Sequence, residues 1–249
     1  MTSRNYKFPL TISSVAVIAS LGIALHFAYA EESDDGVNKY QDNDFSAAAE
    51  AFQAAADNGD AEAQTSLGIM YLKGEGVDED EKKALSLFEK AAAQGNVRAE
   101  VNLGRMYAKG KAGLVPNYGI AVSWFDKAAT QGYADAQYTL GVLYVTGNGV
   151  PLNYKKAQEL FSSAADQNNA SAQYQLALMH FKGKGMPVNY TEAYKWLSLA
   201  GDYDDAAIYR DFVSQKMSKE QVEQAVALAD DWKQDQEQNQ DKNSEKAGK

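Results

Sequence analysis

A Leu-Gly dipeptide recurs along this chain at a nearly constant interval. It first stands at Leu67-Gly68, and the same column continues at Leu103-Gly104, Leu140-Gly141 and Leu176-Ala177. A second column holds a large apolar residue at Phe52, Phe88, Phe125, Phe161 and Leu197. A fixed period between 20 and 50 residues is typical of proteins that stack structural repeats, and the intervals here are 36 or 37 residues. The chain is therefore predicted to be a repeat array.

Each repeat is predicted to contain two helices. Ala63, Leu67 and Tyr71 are spaced by four residues, and so are Ala84 and Phe88, which gives each segment one apolar stripe of helical period. Short polar residues that suit a helix N-cap precede the second helix at Asp44, Asp80, Asn117, Asn153 and Asn189. Residues that tolerate the left-handed conformation follow it at Gly59, Gly95, Gly132 and Asn168.

A Gly-x-Gly segment lies between the two predicted helices of three repeats. It reads Gly74-Glu75-Gly76, Gly147-Asn148-Gly149 and Gly183-Lys184-Gly185. Such a segment before a helix can be a phosphate-binding loop. A phosphate site is needed once, whereas this segment occurs in three repeats. We therefore interpret it as a turn whose glycines give the backbone freedom.

The combined pattern, A-x-x-x-L-G-x-x-Y-x-x-G-x-G-V followed by K-A-x-x-[WFL]-[FL]-x-x-A-A, resembles the Sel-one-like repeat family, a relative of the tetratricopeptide arrays. In the first full unit it is carried by Ala63, Leu67, Gly68, Tyr71, Gly74, Gly76, Val77, Lys83, Ala84, Leu87, Phe88, Ala91 and Ala92. The resemblance implies an all-α fold, a right-handed α/α superhelical solenoid of antiparallel helix pairs. Ala177 and His180 depart from the pattern, which predicts a slightly altered fourth interface.

The predicted solenoid covers residues 31–233. It comprises a half unit, four full units and a pair of capping helices, at 39–60, 61–96, 97–133, 134–169, 170–203 and 204–233. Ser218-Lys219-Glu220-Gln221 is predicted to form a capping box at the last helix. The polar segment 234–249 lacks aromatic and branched aliphatic residues, so it is predicted to be a disordered tail.

The first thirty residues are typical of a secretory signal. Arg4 and Lys7 precede the apolar run 15–27, and Ala28-Tyr29-Ala30 provides a small-residue cleavage site. We expect cleavage after Ala30 and a periplasmic or secreted protein; the alternative is an uncleaved anchor. Removal of this segment leaves 22 basic and 34 acidic residues, a net charge of −12. That charge predicts no nucleic-acid partner and repulsion from anionic lipid, and no membrane insertion follows signal removal.

No residues are predicted to perform catalysis or to hold a metal or cofactor. The chain has no cysteine, and signal removal leaves His180 as the one histidine, in a column that serves packing. The resemblance implies a non-enzymatic protein-interaction scaffold of the bacterial envelope that binds an envelope protein. The alternatives are a periplasmic regulator of a membrane sensor and a cell-wall-acting or β-lactamase-like enzyme.

A second face of the first helices is the candidate binding surface. In the family these helices line the concave side, and here that face becomes more apolar toward the C-terminal units. The predicted groove for a peptide or helix, with the two tyrosines as anchors, comprises Tyr138, Val142, Val145, Tyr174, Leu178 and Phe181. The alternative interpretation is burial of this face against the neighbouring unit.

Overall fold

Every regular element that the computed structural model describes, over residues 33–247, is a helix. The segment 33–41 is α1, and a short 3₁₀ turn occupies Lys111–Gly113. The remaining α-helices, α2 to α12, span Phe45–Asp57, Ala61–Lys73, Glu81–Ala93, Val97–Lys109, Tyr118–Thr130, Ala134–Thr146, Tyr154–Ala165, Ala170–Lys182, Tyr190–Leu199, Ala206–Ser214 and Lys219–Ala247. The all-α repeat prediction is confirmed. The predicted signal at 1–30 lies outside the described residues.

The chain divides into two compact units, one ending at Ala99 and one beginning at Glu100. Within each unit the helices that follow each other along the chain pack together as pairs, such as α3 with α4 and α7 with α8. No helix of residues 33–247 is long and apolar enough to cross a membrane.

The Gly-x-Gly segment is a helix-to-helix loop, as predicted. Gly147 ends α7 in the left-handed conformation, and its N–H donates to the Leu143 carbonyl at 2.8 Å. The Asn153 N–H then donates to the Tyr144 carbonyl at 2.9 Å, which closes the loop. The Asn153 side chain accepts the Lys156 N–H and so caps α8. The same loop-closing bond joins Asp80 to Tyr71, Asn117 to Tyr107 and Asn189 to His180.

The glycine column makes room for the phenylalanine column. A Cβ placed on Gly141 would lie 2.6 Å from the Phe161 ring, and Phe161 is fully buried. Gly68 and Gly104 approach Phe88 and Phe125 in the same way. In the fourth repeat both columns change together, since Ala177 and Leu197 replace glycine and phenylalanine and lie in one buried cluster. Leucine in place of phenylalanine in the second helix therefore leaves room for the alanine methyl group in the first helix.

The predicted half unit is a complete helix pair. A Cβ on Gly36 in α1 would lie 2.7 Å from the Phe52 ring, which is the contact that Gly68 makes with Phe88. The turn between α1 and α2 is only residues 42–44, with Asn43 in the left-handed conformation. The predicted start at residue 39 is too late because so short a turn lacks the Gly-x-Gly signature.

The C-terminal helices are attached to the last repeat. The Ser218 N–H donates to the Gln221 side chain, and the Gln221 N–H donates back to the Ser218 hydroxyl, so the predicted capping box is present. Ala225 and Ala229 of α12 are buried. Trp232 packs edge-on against Trp196 of α10, with ring centroids 6.1 Å apart.

The structure differs from the sequence prediction at the C-terminal tail. Helix α12 continues to Ala247, whereas a disordered segment was expected from residue 234. Glutamine, glutamate and lysine are good helix formers, and no glycine or proline interrupts the run before Gly248. The helix propensity of these residues, rather than burial of an apolar stripe, therefore favours the extension.

We expect the extension to exchange its backbone amides quickly. The side chains at 233–235 and 237–239 are exposed, so little burial opposes fraying. Hydrogen exchange followed by mass spectrometry should show protection near Ala225 and Ala229 and rapid exchange beyond residue 236. Slow exchange across 236–247 would mean that this segment is held by contacts rather than by propensity.

Candidate functional site

The predicted binding residues lie together on α7 and α9 in the second unit. Five of the six are half-buried and pack against the core: Tyr138, Val142, Val145, Leu178 and Phe181. Tyr174 is only 5% exposed. We call this set the helix-A face. The helix-A face is therefore partly exposed to solvent, with Tyr174 as its buried member.

The C-terminal segment of the chain covers one end of the helix-A face. The ring of Tyr174 lies 5.8 Å from that of Tyr203 and 6.0 Å from that of Tyr209. The ring of Phe181 lies 5.7 Å from that of Phe212 and 6.4 Å from that of Tyr209. Helix α11 therefore packs against the face through aromatic side chains. Sequence reasoning missed this position because α11 falls outside the repeat period.

The two predicted anchor tyrosines interact with the turn that precedes α11. Burial and, after it, the neighbouring Tyr203 raise the pKa of Tyr138 to about 12. The pKa of Tyr174 is also raised to about 12, first by burial and then by Asp204. Both hydroxyls are therefore uncharged at neutral pH. The two tyrosines therefore lie beside the turn that precedes α11.

Helix α11 also carries an apolar surface toward solvent. Ile208 is 68% exposed and Phe212 is 46% exposed, and the two are four residues apart on one side of the helix. Since Phe212 contacts Phe181, this surface is continuous with the helix-A face. Exposed aromatic and branched aliphatic side chains in contact with a half-buried apolar face are typical of protein-binding surfaces.

A column of buried polar side chains joins consecutive helices. The side-chain amides of Gln64, Gln137 and Gln173 donate to the carbonyls of Ala56, Ala129 and Ala165 at 3.1, 3.3 and 3.2 Å. Gln94 and Gln167 donate in turn to Gln64 and Gln137. Glu100 takes the place of glutamine in this column and accepts a 2.8 Å hydrogen bond from Gln131. This column was not recognised in the sequence because glutamine is ordinarily exposed.

Replacement of Glu100 by glutamine is expected to stabilise the protein at neutral pH. Burial at 4% exposure raises the pKa of the Glu100 carboxyl, against the opposing effects of Lys127 and Gln131. The folded state therefore binds the proton more tightly than the unfolded chain, so stability falls as the pH rises from the unfolded pKa through the folded one. Glutamine carries no charge to desolvate and matches the rest of the column.

We expect the Glu100→Gln gain to be on the order of 1 kcal/mol at pH 7 and to shrink toward zero below pH ~4. Urea unfolding followed by circular dichroism across this pH range measures it. Glu159→Gln is the matched control, since Glu159 is exposed on α8. A gain that stays constant with pH would contradict the assignment to Glu100 ionisation.

His180 lacks the arrangement of a catalytic histidine. Its Nδ1 is buried and has no hydrogen-bond partner. Burial lowers the pKa of His180, with Glu192 opposing the effect and Lys195 adding to it. In the part of the chain that the structure describes, no carboxylate orients this ring, and no cluster of three histidine, aspartate or glutamate residues could hold a metal ion.

A cavity of about 410 Å³ lies in the first unit. Its walls are mainly apolar and include Val37 and Ile69, and the cationic side chains Lys73 and Arg98 also line it. The Lys73 ammonium lies 3.4 Å from the Glu75 carboxylate, which also accepts a 2.7 Å hydrogen bond from the Tyr40 hydroxyl. The charge of this lysine is therefore compensated within the unit, and the cavity offers mainly apolar contact.

Comparisons with known proteins agree with the repeat architecture. The family described as Sel1 repeat matches residues 61–96, 97–133, 134–169 and 170–202. A search of the curated proteins found no match. Among solved structures, a Sel1 repeat protein from Oxalobacter formigenes is 33% identical, with a TM-score of 0.63 over 68% of this chain and 49% of that one.

Two further solved structures are similar. One is c5321, a protective antigen of uropathogenic Escherichia coli with an SLR fold, at 26% identity and a TM-score of 0.51 over 75% of this chain and 48% of that one. The other is a sel1 repeat protein from Klebsiella pneumoniae subsp. pneumoniae, at 24% identity and a TM-score of 0.50 over 75% of this chain and 93% of that one. This chain spans about half the length of the first two relatives. Because four matched repeats cover more than half of its length, the chain belongs to the Sel1 repeat family.

Proposed function

We propose that this protein is a non-enzymatic interaction scaffold of the bacterial envelope and that it binds a protein partner through the helix-A face. Sel1-repeat proteins are generally protein-interaction scaffolds, and the four matched repeats support that general role. The envelope setting is supported by the signal-like segment 1–30.

The observation that carries the proposal is the packing of α11 on the helix-A face. A short amphipathic helix of this chain lies against Tyr174 and Phe181 through Tyr209 and Phe212. The face therefore accepts a helix through aromatic contacts, which is one of the recurrent modes of peptide recognition. We propose that a partner helix packs beside α11, on Val142 and Val145 and on the exposed side of Phe212.

Site-specific photocrosslinking in the exporting cell tests the partner face. A photoreactive amino acid at Val145 or Phe212 should join the chain to one protein, whereas the same amino acid at Ser123, exposed on α6, should not. The product is identified by mass spectrometry. Equal crosslinking from all three positions would mean that the contact is not specific to this face.

Binding of the identified partner should then fall in the double variant Ile208→Ser and Phe212→Ser. Both side chains are substantially exposed, so the melting temperature should change little. Loss of binding only in step with loss of stability would contradict a direct contact. Turnover of a chromogenic β-lactam or of cell-wall fragments by the purified protein would instead favour the enzyme alternative.

The N-terminal residue of the protein recovered from cells tests export. We expect the mature chain to begin at Glu31, with the protein in the periplasmic or extracellular fraction. An intact Met1 on protein recovered from the cytoplasm would contradict the envelope proposal while leaving the scaffold proposal standing.

A further inference from the structure

The loops between the two helices of each repeat form one continuous edge in the second unit. A Cβ on Gly149 would lie 2.6 Å from the Tyr118 backbone, and a Cβ on Gly185 would lie 2.8 Å from Tyr154. The Lys184 ammonium lies 5.4 Å from the centroid of the Tyr154 ring. Each of these two loops therefore contacts the first residue of the second helix in the preceding repeat. We call residues 109–120, 146–156 and 182–190 the loop edge.

The loop edge is basic although the whole chain carries a net charge of −10. No aspartate or glutamate occurs in 101–125, 136–158 or 167–191, the stretches that contain the three loops. The edge presents six exposed lysines, Lys109, Lys111, Lys155, Lys156, Lys182 and Lys184. Acidic residues collect instead at the turns that join one repeat to the next, at Asp135, Asp166, Asp202, Asp204 and Asp205. Helix pairs place these two kinds of turn at opposite ends, so the acidic and basic groups are separated.

Each loop also exposes one aliphatic side chain beside a proline. Val115 is 82% exposed, Leu152 is 54% exposed and Val188 is 51% exposed. Each stands within two residues of the asparagine that caps the next helix. The corresponding loop of the first unit carries Asp78-Glu79-Asp80 instead, so the feature is confined to the second unit. Val115 extends almost fully into solvent, and Leu152 and Val188 each leave about half of the side chain exposed, so packing uses only part of this apolar surface.

We propose that the loop edge docks on an anionic lipid surface. Lysines attract the negatively charged headgroups, and isolated aliphatic side chains between them enter the interfacial layer, which is the composition of peripheral membrane-binding surfaces. The ranges of the loop edge contain no arginine, the residue that would form paired hydrogen bonds to phosphates or bases. The proposal is independent of the helix-A face, since it uses other residues.

The nearest acidic residues moderate this attraction without cancelling it. Glu159 lies 3.8 Å from Lys156, and Glu192 lies 3.6 Å from Lys195. Lys109 and Lys155 are exposed further along the same edge, and Lys182 is exposed with its ammonium 6.0 Å from the centroid of the Tyr209 ring. Because surface charges are screened over about 8–10 Å at physiological salt, binding should be reversible and should weaken as the ionic strength rises.

A polarity-sensitive dye placed on the edge tests the proposal in the full-length chain. The protein has no cysteine, so Leu152→Cys gives a single labelling site just before the start of α8. Asp166→Cys gives a control just after the end of α8. Vesicles that contain phosphatidylglycerol should shift the emission of the dye at 152 to the blue and leave the dye at 166 unchanged. This local signal separates docking of the edge from attachment of the chain through its N-terminal segment.

Removal of the lysine charges should abolish the shift. In the Leu152→Cys background, the variant K109Q, K111Q, K155Q and K182Q should bind phosphatidylglycerol vesicles at least about 100-fold more weakly, since each lysine near an anionic surface contributes about fivefold. The charge-matched control K90Q, K127Q, K216Q and K233Q changes exposed lysines that lie off the edge. It should retain most of the binding.

Three outcomes would overturn the lipid proposal. Equal losses in the two lysine variants would mean that only net charge matters. An equal shift with phosphatidylcholine vesicles would mean that headgroup charge is irrelevant. Tighter binding of a DNA duplex than of anionic vesicles, lost in the edge variant alone, would assign the edge to nucleic acid. Circular dichroism of each variant verifies that the helices are intact.

Discussion

Replacement of Phe125 by alanine is expected to lower the free energy of unfolding by ~3–5 kcal/mol, the range for a buried phenylalanine. Phe125 is 2% exposed, and its ring fills the space above Gly104, where a Cβ would lie 2.8 Å away. Alanine would leave a cavity that the neighbouring helices close only in part. The loss should be large because α6 has only four buried residues, of which Phe125 is the largest.

Urea unfolding followed by circular dichroism measures this loss, with Phe212→Ala as the matched control. Phe212 is 46% exposed, so the same substitution there should cost far less. Repeat proteins unfold along the array, so the transition of Phe125→Ala should also become broader as the damaged repeat separates from its neighbours. Equal costs for the two substitutions would show that the phenylalanine column is not the core of the second unit.

Gly141→Ala is expected to destabilise the protein by ~1–3 kcal/mol even though alanine is the better helix former. The added Cβ would lie 2.6 Å from the Phe161 ring, closer than carbon atoms approach without displacement. The ring is fully buried and so cannot move into solvent. The helix α7 and the ring must therefore separate, which loosens the pair α7 and α8.

The double variant Gly141→Ala and Phe161→Leu should recover part of that loss. It reproduces the fourth repeat, where Ala177 and Leu197 are both fully buried. A double-mutant cycle in urea should give a favourable coupling of about 1 kcal/mol or more between the two sites. Additive costs would mean that glycine at 141 serves a purpose other than the accommodation of the ring.

The repeat architecture could be predicted because it depends on local chemistry. Helix period, N-cap asparagines and left-handed glycines each act within a few residues, so their effects are visible in the sequence at Asn153 or Gly147. The predicted fold class and capping box followed from these signals. The helix α1 was underestimated because its turn is too short to contain the repeat signature.

The candidate site was predicted less completely, since its form depends on a segment outside the repeats. The sequence placed Tyr174 on the same face as Tyr138, which the structure reproduces, yet Tyr203 and Tyr209 cover Tyr174. No repeat period indicates where α11 packs, because a helix of nine residues outside the repeats has many possible docking positions. Whether this face binds a partner remains a prediction.

The sequence by itself determined the helices of the four repeats, their ends and the stacking columns, because each depends on residues close together in the chain. The distribution of charge was decided only by the tertiary structure. The net charge of −12 after signal removal predicted repulsion from anionic surfaces, but stacked helix pairs of the second unit bring the acid-free loops to one edge and the acidic turns to the other. Electrostatic attraction depends on distance in space, so a lysine at 109 and one at 155 act together only once the repeats are packed.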